Sequence, residues 1–399
     1  MNNIYLDYAA TTPVDPEVAD KIKPFFDYKI DDFGNPSSLH YFGQRAKGIL
    51  DFAREKLAST ITANYREMIF TSSATEANNL ILRGILKSFF KKQKGCGKIP
   101  KFIISSIEHP SVLETVKTLE NDGAVEVTYL PVNLAGIVDL SVLEKELDNR
   151  TLLVSVMWVN NETGAIQPIG KISSILEIFK KENSGKLSAP YPLFHTDAVQ
   201  AFNLFDLNIL KSGVDLMTLS SHKIYGPKGA GASYIKGGAA TVNFIDPIIT
   251  GGGQEYDLRS GTENVPAVVG FAYAAEKSHN SHKKEFKRLG KLSKSFFDGL
   301  KKGIPDIELN GSWESKAPHI TNIYFPRHEN LRIALDLIGI SASAGSACAQ
   351  RYEKPSHVLG QMGLGIDRIK QSIRFSFGRF ISEKDIDEAC RRIIISLNK

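Results

Sequence analysis

Cysteine is nearly absent: Cys96, Cys348 and Cys390 are the three in 399 residues. An odd, widely spaced set of this kind excludes a disulfide framework and a cysteine-ligated zinc site, suggests no other metal site, and fits a reducing compartment. Also missing is any uninterrupted apolar stretch approaching the roughly 20 residues that cross a bilayer as a helix. The opening Met-Asn-Asn-Ile-Tyr-Leu-Asp-Tyr has neither the basic nor the apolar stretch of a secretion signal. A cytoplasmic protein with no membrane partner is therefore expected. No low-complexity tract or internal repeat occurs, and 42% hydrophobic with 23% charged residues is the balance of an ordinary globular chain. Charge of one sign is weak, with a net value of +5. Basic residues gather over Lys87–Lys101 and Lys283–Lys302, where they read as a solvated loop and a solvated helix face and not as a nucleic-acid surface.

What is present is a regular alternation. Short apolar runs at Glu67–Thr71, Phe102–Ser105, Val125–Leu130, Leu152–Val159, Leu193–His195 and Val214–Leu219 predict strands buried on both faces. Between them, sets such as Ala77, Leu80, Ile81 and Ile85 have helical spacing, so the strands connect by crossovers into a mainly parallel α/β sheet. After Gly251-Gly252-Gly253 the rhythm changes to a helix over about Pro266–Lys302, strand-like pieces at Ile320–Phe325 and Ile373–Phe377, and a closing helix from Glu383. This reads as a large α/β domain over 14–258 and a smaller α+β domain formed by 1–13 and 259–399.

Each run of the sheet is followed by polar residues: Ser73-Ala74-Thr75, His109, Asn160-Asn161, Asp197 and Lys223. Ligands of open α/β sheets sit outside the carboxyl ends of the strands, so these residues point to one site. Lys223, behind an apolar run, suits imine formation with an aldehyde, and Ser220 and His222 beside it suit the phosphate of pyridoxal 5'-phosphate. A plain surface lysine in a Gly/Pro turn is the alternative. The Ser73–Thr75 turn, opening a helix, suits an anion as well as it suits an ordinary N-cap. Asp197, amid apolar neighbours, calls for a cation such as a protonated pyridine nitrogen, or else caps a helix; Gln200 lies within reach of the ring's phenolic oxygen. His109, ending its strand, can stack on that ring and shuttle protons near neutral pH.

Together with Tyr5-Leu6-Asp7-Tyr8-Ala9-Ala10-Thr11-Thr12, Gly34-Asn35-Pro36-Ser37-Ser38, Val159-Asn160-Asn161-Glu162-Thr163-Gly164, Arg259-Ser260-Gly261-Thr262, Gly345-Ser346-Ala347-Cys348 and Ile373-Arg374-Phe375-Ser376, the chain resembles the NifS/IscS-type cysteine desulfurases of the class V pyridoxal phosphate family. The resemblance implies fold type I, with a mainly parallel seven-stranded sheet covered by helices and a smaller α+β C-terminal domain. It implies that Lys223 forms the imine, that Ala74, Thr75, Ser220 and His222 hold the phosphate, and that His109, Asp197 and Gln200 meet the ring. It further implies that Thr262 reaches the phosphate of a neighbouring subunit in a homodimer, and that Asn161 and Arg374 hold the carboxylate of L-cysteine.

Cys348 decides the reaction, because in such enzymes it takes the substrate sulfur as a persulfide, leaving L-alanine, with His109 as proton carrier. It lies within about 341–354, a stretch of small residues expected to move. A free thiol has a pKa of about 8.5, so a site that favours the thiolate helps. The persulfide is passed to an acceptor such as an iron-sulfur scaffold, or to thio-cofactor and tRNA pathways. The rivals are a class V aminotransferase, a selenocysteine lyase, or a non-catalytic binding protein on the same fold. One departure stands out: Glu255-Tyr256-Asp257 replaces the usual Glu-Arg-Gly, placing an acid near the presumed subunit-bridging contact.

Overall fold

Five apolar runs point their carboxyl ends to one edge of a single sheet, and that edge positions everything that follows. The computed structural model describes residues 3–92, 98–185, 190–238, 243–328, 330–344 and 355–397. Its strands, in chain order, are β1 (Ile4–Tyr5), β2 (Met68–Thr71), β3 (Lys101–Ser105), β4 (Glu126–Leu130), β5 (Thr151–Ser155), β6 (Leu193–Asp197), β7 (Leu216–Ser220), β8 (Gly231–Ile235), β9 (Glu308–Leu309), β10 (Ile320–Tyr324), β11 (Ile340–Ser341) and β12 (Ser372–Ser376). Seven of them form one sheet in the order β2-β8-β7-β6-β5-β3-β4. The pairs from β7 through β6, β5 and β3 to β4 are parallel, whereas β8 is antiparallel to both β7 and β2. Hence β2 runs in the same direction as the parallel strands.

Two features depart from the sequence expectation. The strand β8 escaped it, because Gly231-Ala-Ser-Tyr-Ile235 is short and follows a Gly/Pro turn that hides its apolar alternation. The run Val125–Leu130 is not buried on both faces: β4 is the outer strand, and only Leu130 in it is buried. An edge strand has one neighbour and needs only one covered face, which is why Glu126 and Thr128 are tolerated there.

Both sheet faces are covered by amphipathic helices. On one side lie the helices Ala74–Lys92 and Pro110–Asn121, whose Leu80, Ile81, Ile85, Val112 and Val116 pack with Ile69, Phe102 and Ile104 of the strands. On the other, Leu50, Leu57, Val268 and Phe271 pack with Met68, Ile103, Val154 and Met217. The helix Val265–Gly303 is continuous over 39 residues: its first part joins this core, and Leu289, Leu292, Phe296 and Leu300 join a second one with Ile323, Phe375 and Ile393. Around that second core, β10 pairs antiparallel with β12 and β9. The amino-terminal strand β1 pairs parallel with β11, and Asp7 bridges to Ser376. Residues 7–10 are thereby carried from the second core to the carboxyl edge of the large sheet.

Candidate active site

The strand ends enclose a cavity of about 200 Å³ lined by Ala9, Ala10, Ser73, Ala74, Thr75, His109, Met157, Asn161, Asp197, Val199, Gln200, Ser220, His222, Lys223 and Arg374. Eleven of the twelve residues expected at the site lie in the described segments, and ten of these line this one space. Thr262 does not; it is exposed on a turn beyond Gly261, whose φ is 113°. Cys348 lies outside the described residues.

Lys223 follows β7 by three residues and donates from Nζ to the carbonyls of Ala9 (2.5 Å) and Ala10 (2.7 Å). The amino-terminal segment thus forms a wall of the cavity, a contribution that sequence periodicity has no means of showing. Gln200 Nε2 donates to the same Ala9 carbonyl at 3.0 Å, which leaves its second amide hydrogen for a ligand.

The helix Ala74–Lys92 begins directly after β2. Ser73 Oγ accepts from Glu76 N at 3.2 Å, so the ordinary N-cap is present and is Ser73, while Ala74 and Thr75 present the first turn of the helix to the cavity. This approach depends on Gly231: a Cβ there would stand 2.5 Å from Ser73 C and 2.9 Å from Ala74 N. Ser220 Oγ is buried and has no hydrogen-bond partner among the described residues.

Asp197 ends β6. Its Oδ1 accepts from Val199 N and its Oδ2 from Asn78 Nδ2, both at 3.0 Å. Burial pushes its pKa up, and those two bonds together with the charge of Lys223 offset this only in part. Oδ1 thus caps the helical turns over 198–205, while Oδ2 lines the cavity side with Asn78 as its donor.

His109 stands four residues past the end of β3, not at the strand end, and is the N-cap of the helix Pro110–Asn121. Its Nδ1 accepts from Ser111 N at 3.1 Å and lies 2.8 Å from Ser111 Oγ. Burial, then the charges of Lys223 and His357, lower its pKa to about 4. A value near 4 favours the neutral ring, and the Ser111 N–H at Nδ1 leaves the ring hydrogen at Nε2. His222 is likewise lowered to about 4, by burial and then by Lys223. Beside His109, Glu108 is fully buried, accepts from Met157 N at 2.6 Å, and is pushed well above the usual carboxylate range by burial.

Arg374 in β12 is 1% exposed. Its Nη2 donates to Asp7 Oδ1 at 2.7 Å and its Nη1 to the Asn161 carbonyl at 2.8 Å, and Nε has no partner among the described residues. The fork expected to take a substrate carboxylate is thus partly engaged by Asp7, with Nε–H in reserve. Ser343, the partner of Arg374 across an isolated bridge, also donates to Asp7 Oδ2 at 2.8 Å. On the far side of the undescribed stretch, Ser356 donates to Glu162 and His357 Nε2 lies 3.0 Å from the Glu108 carbonyl. Both ends of the segment that carries Cys348 are therefore tied beside the cavity.

A lysine, a buried acid short of a cation, an imidazole and a helix start around one space form the donor set of a class V fold, and the aminotransferase class-V family model matches residues 4–389. The chain belongs to that family. Its relatives include "Cysteine desulfurase IscS" of Dictyoglomus turgidum, 40% identical over 400 residues and covering 99% of this chain and 95% of that protein. "Cysteine desulfurase" of Homo sapiens is 38% identical over 392 residues, covering 98% of this chain and 81% of that protein. Among solved structures, a "NIFS-LIKE PROTEIN" superposes with a TM-score of 0.87 at 35% identity, covering 99% of each chain. A NifS-like protein from Rickettsia africae gives 0.83 at 31% identity over the whole of both chains. Family and fold class are as the resemblance implied, and members of the family depend on pyridoxal 5'-phosphate.

The residues present fit that group. The unpartnered Ser220 hydroxyl and the open helix turn at Ala74–Thr75 suit a phosphate, and the under-neutralised Asp197 suits a pyridinium nitrogen. Nothing in the structure explains the departure at Tyr256-Asp257, whereas the Glu255 shared with the usual run is firmly held. Glu255 is buried against Arg54 through two 2.6 Å contacts and accepts from Phe70 N at 2.7 Å, while all three residues take left-handed φ values of 49°, 57° and 65°. At Asp257 a glycine would meet that conformation without strain.

Proposed function

We propose that the chain is a pyridoxal phosphate-dependent cysteine desulfurase that converts L-cysteine to L-alanine and passes the sulfur through Cys348 to acceptor proteins. The observation that carries the reading is the convergence of Lys223, Asp197, His109, Ala74–Thr75 and Arg374 on one cavity. When bound, pyridoxal phosphate supplies an electron sink for negative charge at the substrate α-carbon. Asp197 would hold the pyridinium end, Gln200 the phenolic oxygen, and Ser220, His222, Ala74 and Thr75 the phosphate. His109 would meet the ring through its imidazole. Asn161 and Arg374 orient the substrate carboxylate, and the Lys223 amine takes the α-proton at Nζ.

Cys348 lies five residues beyond Ser343, which bridges to the cavity-lining Arg374, so at most roughly 17 Å of chain separates the thiol from that anchor. Its sulfur attacks the substrate sulfur, an S–S bond forms, and the Cβ–S bond breaks with its electron pair left on the three-carbon fragment, which takes a proton and departs as alanine. Sulfur then passes to an acceptor such as an iron-sulfur scaffold or to a thiolation pathway. We place the reaction in the cytoplasm, where Cys348 stays reduced.

The active assembly is a homodimer in which Thr262 completes the partner's phosphate site. Support comes from the exposure of Thr262 away from its own cavity and from a run of bare apolar side chains, Phe26 at 76%, Tyr28 at 82% and Leu39 at 92% exposed. We assign a large domain to 14–258 and a small one to 1–13 and 259–399, joined by the helix Val265–Gly303. The test is mass spectrometry after exposure to L-cysteine: one extra sulfur is expected on the Cys348 peptide. Full alanine and sulfide production by Cys348→Ser would overturn the persulfide route in favour of another class V activity.

A further inference from the structure

One buried amide that the proposed mechanism leaves without a task touches both of its key groups. Asn78, on the second turn of the helix Ala74–Lys92, is fully buried. Its Nδ2 donates to Asp197 Oδ2 at 3.0 Å and to Ser111 Oγ at 2.8 Å, which uses both amide hydrogens. Its Oδ1 has no partner among the described residues. A buried amide left half unsatisfied contributes little to stability, so its placement calls for another reason.

The direction of each hydrogen along this chain follows from its ends. The Asp197 carboxylate accepts, so the amide nitrogen of Asn78 faces it. Ser111 Oγ receives the other amide hydrogen and must therefore send its own hydrogen elsewhere, and His109 Nδ1 lies 2.8 Å away. Ser111 N, which can only donate, is aimed at the same Nδ1 at 3.1 Å. Two donors on Nδ1 leave the ring hydrogen at Nε2.

We propose that Asn78 and Ser111 are positioning residues of this site: Asn78 orients the Ser111 hydroxyl toward His109 Nδ1, which locks His109 as the Nε2–H tautomer, while the same amide holds Asp197 in place. The inference rests on the cavity being the cofactor site proposed above, since only there do His109 and Asp197 both need fixed orientations. The chain is a strut and not a proton relay, because an amide nitrogen accepts no proton. The titratable groups facing His109 are Lys223 and His222 from the segment after β7, His357 from the helix His357–Gln361, the adjoining Glu108, and Asp197 across the cavity. At Nδ1 itself stand the Ser111 hydroxyl at 2.8 Å and the Ser111 N–H at 3.1 Å.

The test uses the full chain with nitrogen-15-labelled histidine, observed by nitrogen–proton NMR with and without pyridoxal phosphate, the His109 signal being assigned by its loss in His109→Gln. Expected for the unsubstituted chain is the Nε2–H pattern, persisting below pH 5. Ser111→Ala raises the titration midpoint at least tenfold in proton affinity because Nδ1 loses a donor, Asn78→Leu raises it by less because the Ser111 hydroxyl is no longer held toward Nδ1, and Ser111→Thr restores the original value. A purely structural role would leave the nitrogen shifts of His109 unmoved in a folded variant. An Nδ1–H pattern in the unsubstituted chain overturns the proposal even if every variant fails to fold, and so does an unchanged midpoint in both Asn78→Leu and Ser111→Ala. If the chain binds no cofactor yet shows the Nε2–H pattern and its shifts, the strut stands and the functional reading falls.

Discussion

Asp15 and Asp197 are both buried carboxylates, 2% and 5% exposed, and their surroundings have opposite effects. Asp15 meets Arg379 Nη1 at 2.6 Å, Lys277 Nζ at 2.9 Å and Glu17 N at 3.0 Å. Burial pushes its pKa up, yet the hydrogen bonds from Lys277 and Arg379 outweigh that and hold it below the ordinary value. Asp197 receives two uncharged N–H donors and stays above the ordinary value. The first is a joint whose electrostatics close within the chain, tying the amino-terminal segment, the long helix and the turn after β12. The second closes only with a cation from outside the chain, and that shortage marks the cofactor end of the molecule.

Changing the lysine beside the uncompensated acid has the largest expected effect. Lys223→Ala should lower alanine formation by roughly a thousandfold or more and abolish covalent trapping of the cofactor by borohydride. Trapping that persists at another lysine would move the reactive amine. Asp197→Asn should cost roughly 100- to 1000-fold in turnover with little loss of stability toward urea, since it removes a charge whose burial is only partly compensated. If turnover survives, the distinction between the two acids fails.

Asp15→Asn should do the reverse. We expect about 2–3 kcal/mol less stability, with turnover per folded molecule unchanged, because Arg379 is left without its carboxylate. The pH dependence sharpens the contrast. A carboxylate held below its unfolded value contributes stability above about pH 4, and that contribution is lost as pH falls through the folded value, so Asp15 should leave the curve flat from pH 8 to 5. Slope between pH 6.5 and 5 should come from the histidines that burial lowers, His195 and His319 to about 3 and His109 and His222 to about 4. Below an unfolded pKa of about 6.5 the unfolded chain binds the protons, so stability falls with falling pH by up to about 1.4 kcal/mol per unit for each. Urea midpoints for His195→Gln should show a shallower slope between pH 6.5 and 5; an unchanged slope would remove His195 from the account.

Much of this architecture was legible beforehand for a plain reason. A strand buried on both faces must be apolar throughout, so six of the seven strands of the large sheet are legible as apolar runs, and the polar residues after five of them mark the site edge. β8 was illegible because a five-residue strand behind a Gly/Pro turn carries too little periodicity. The burial of Val125–Leu130 was overstated because composition does not say which strand ends a sheet. The sequence puts His109 at a strand end, and in the structure it caps the helix that follows, because Pro110 starts that helix and Ser111 N–H turns back to Nδ1. Asn78 and the Ala9–Ala10 wall went unnoticed, the one looking like any helix residue and the other lying more than 200 residues from Lys223.

Residue types and their order along the chain determined which chemistry is available: one lysine behind an apolar run, one acid among apolar neighbours, one cysteine in a run of small residues. Those are local properties, written in neighbours a few positions apart. Tertiary structure alone decided which carboxylate is neutralised from within and which is left waiting, which face of His109 carries its hydrogen, and that residues 9 and 10 stand against residue 223. Electrostatic balance and hydrogen-bond direction depend on distances of about 3 Å between groups far apart in sequence, and only the folded packing sets those distances.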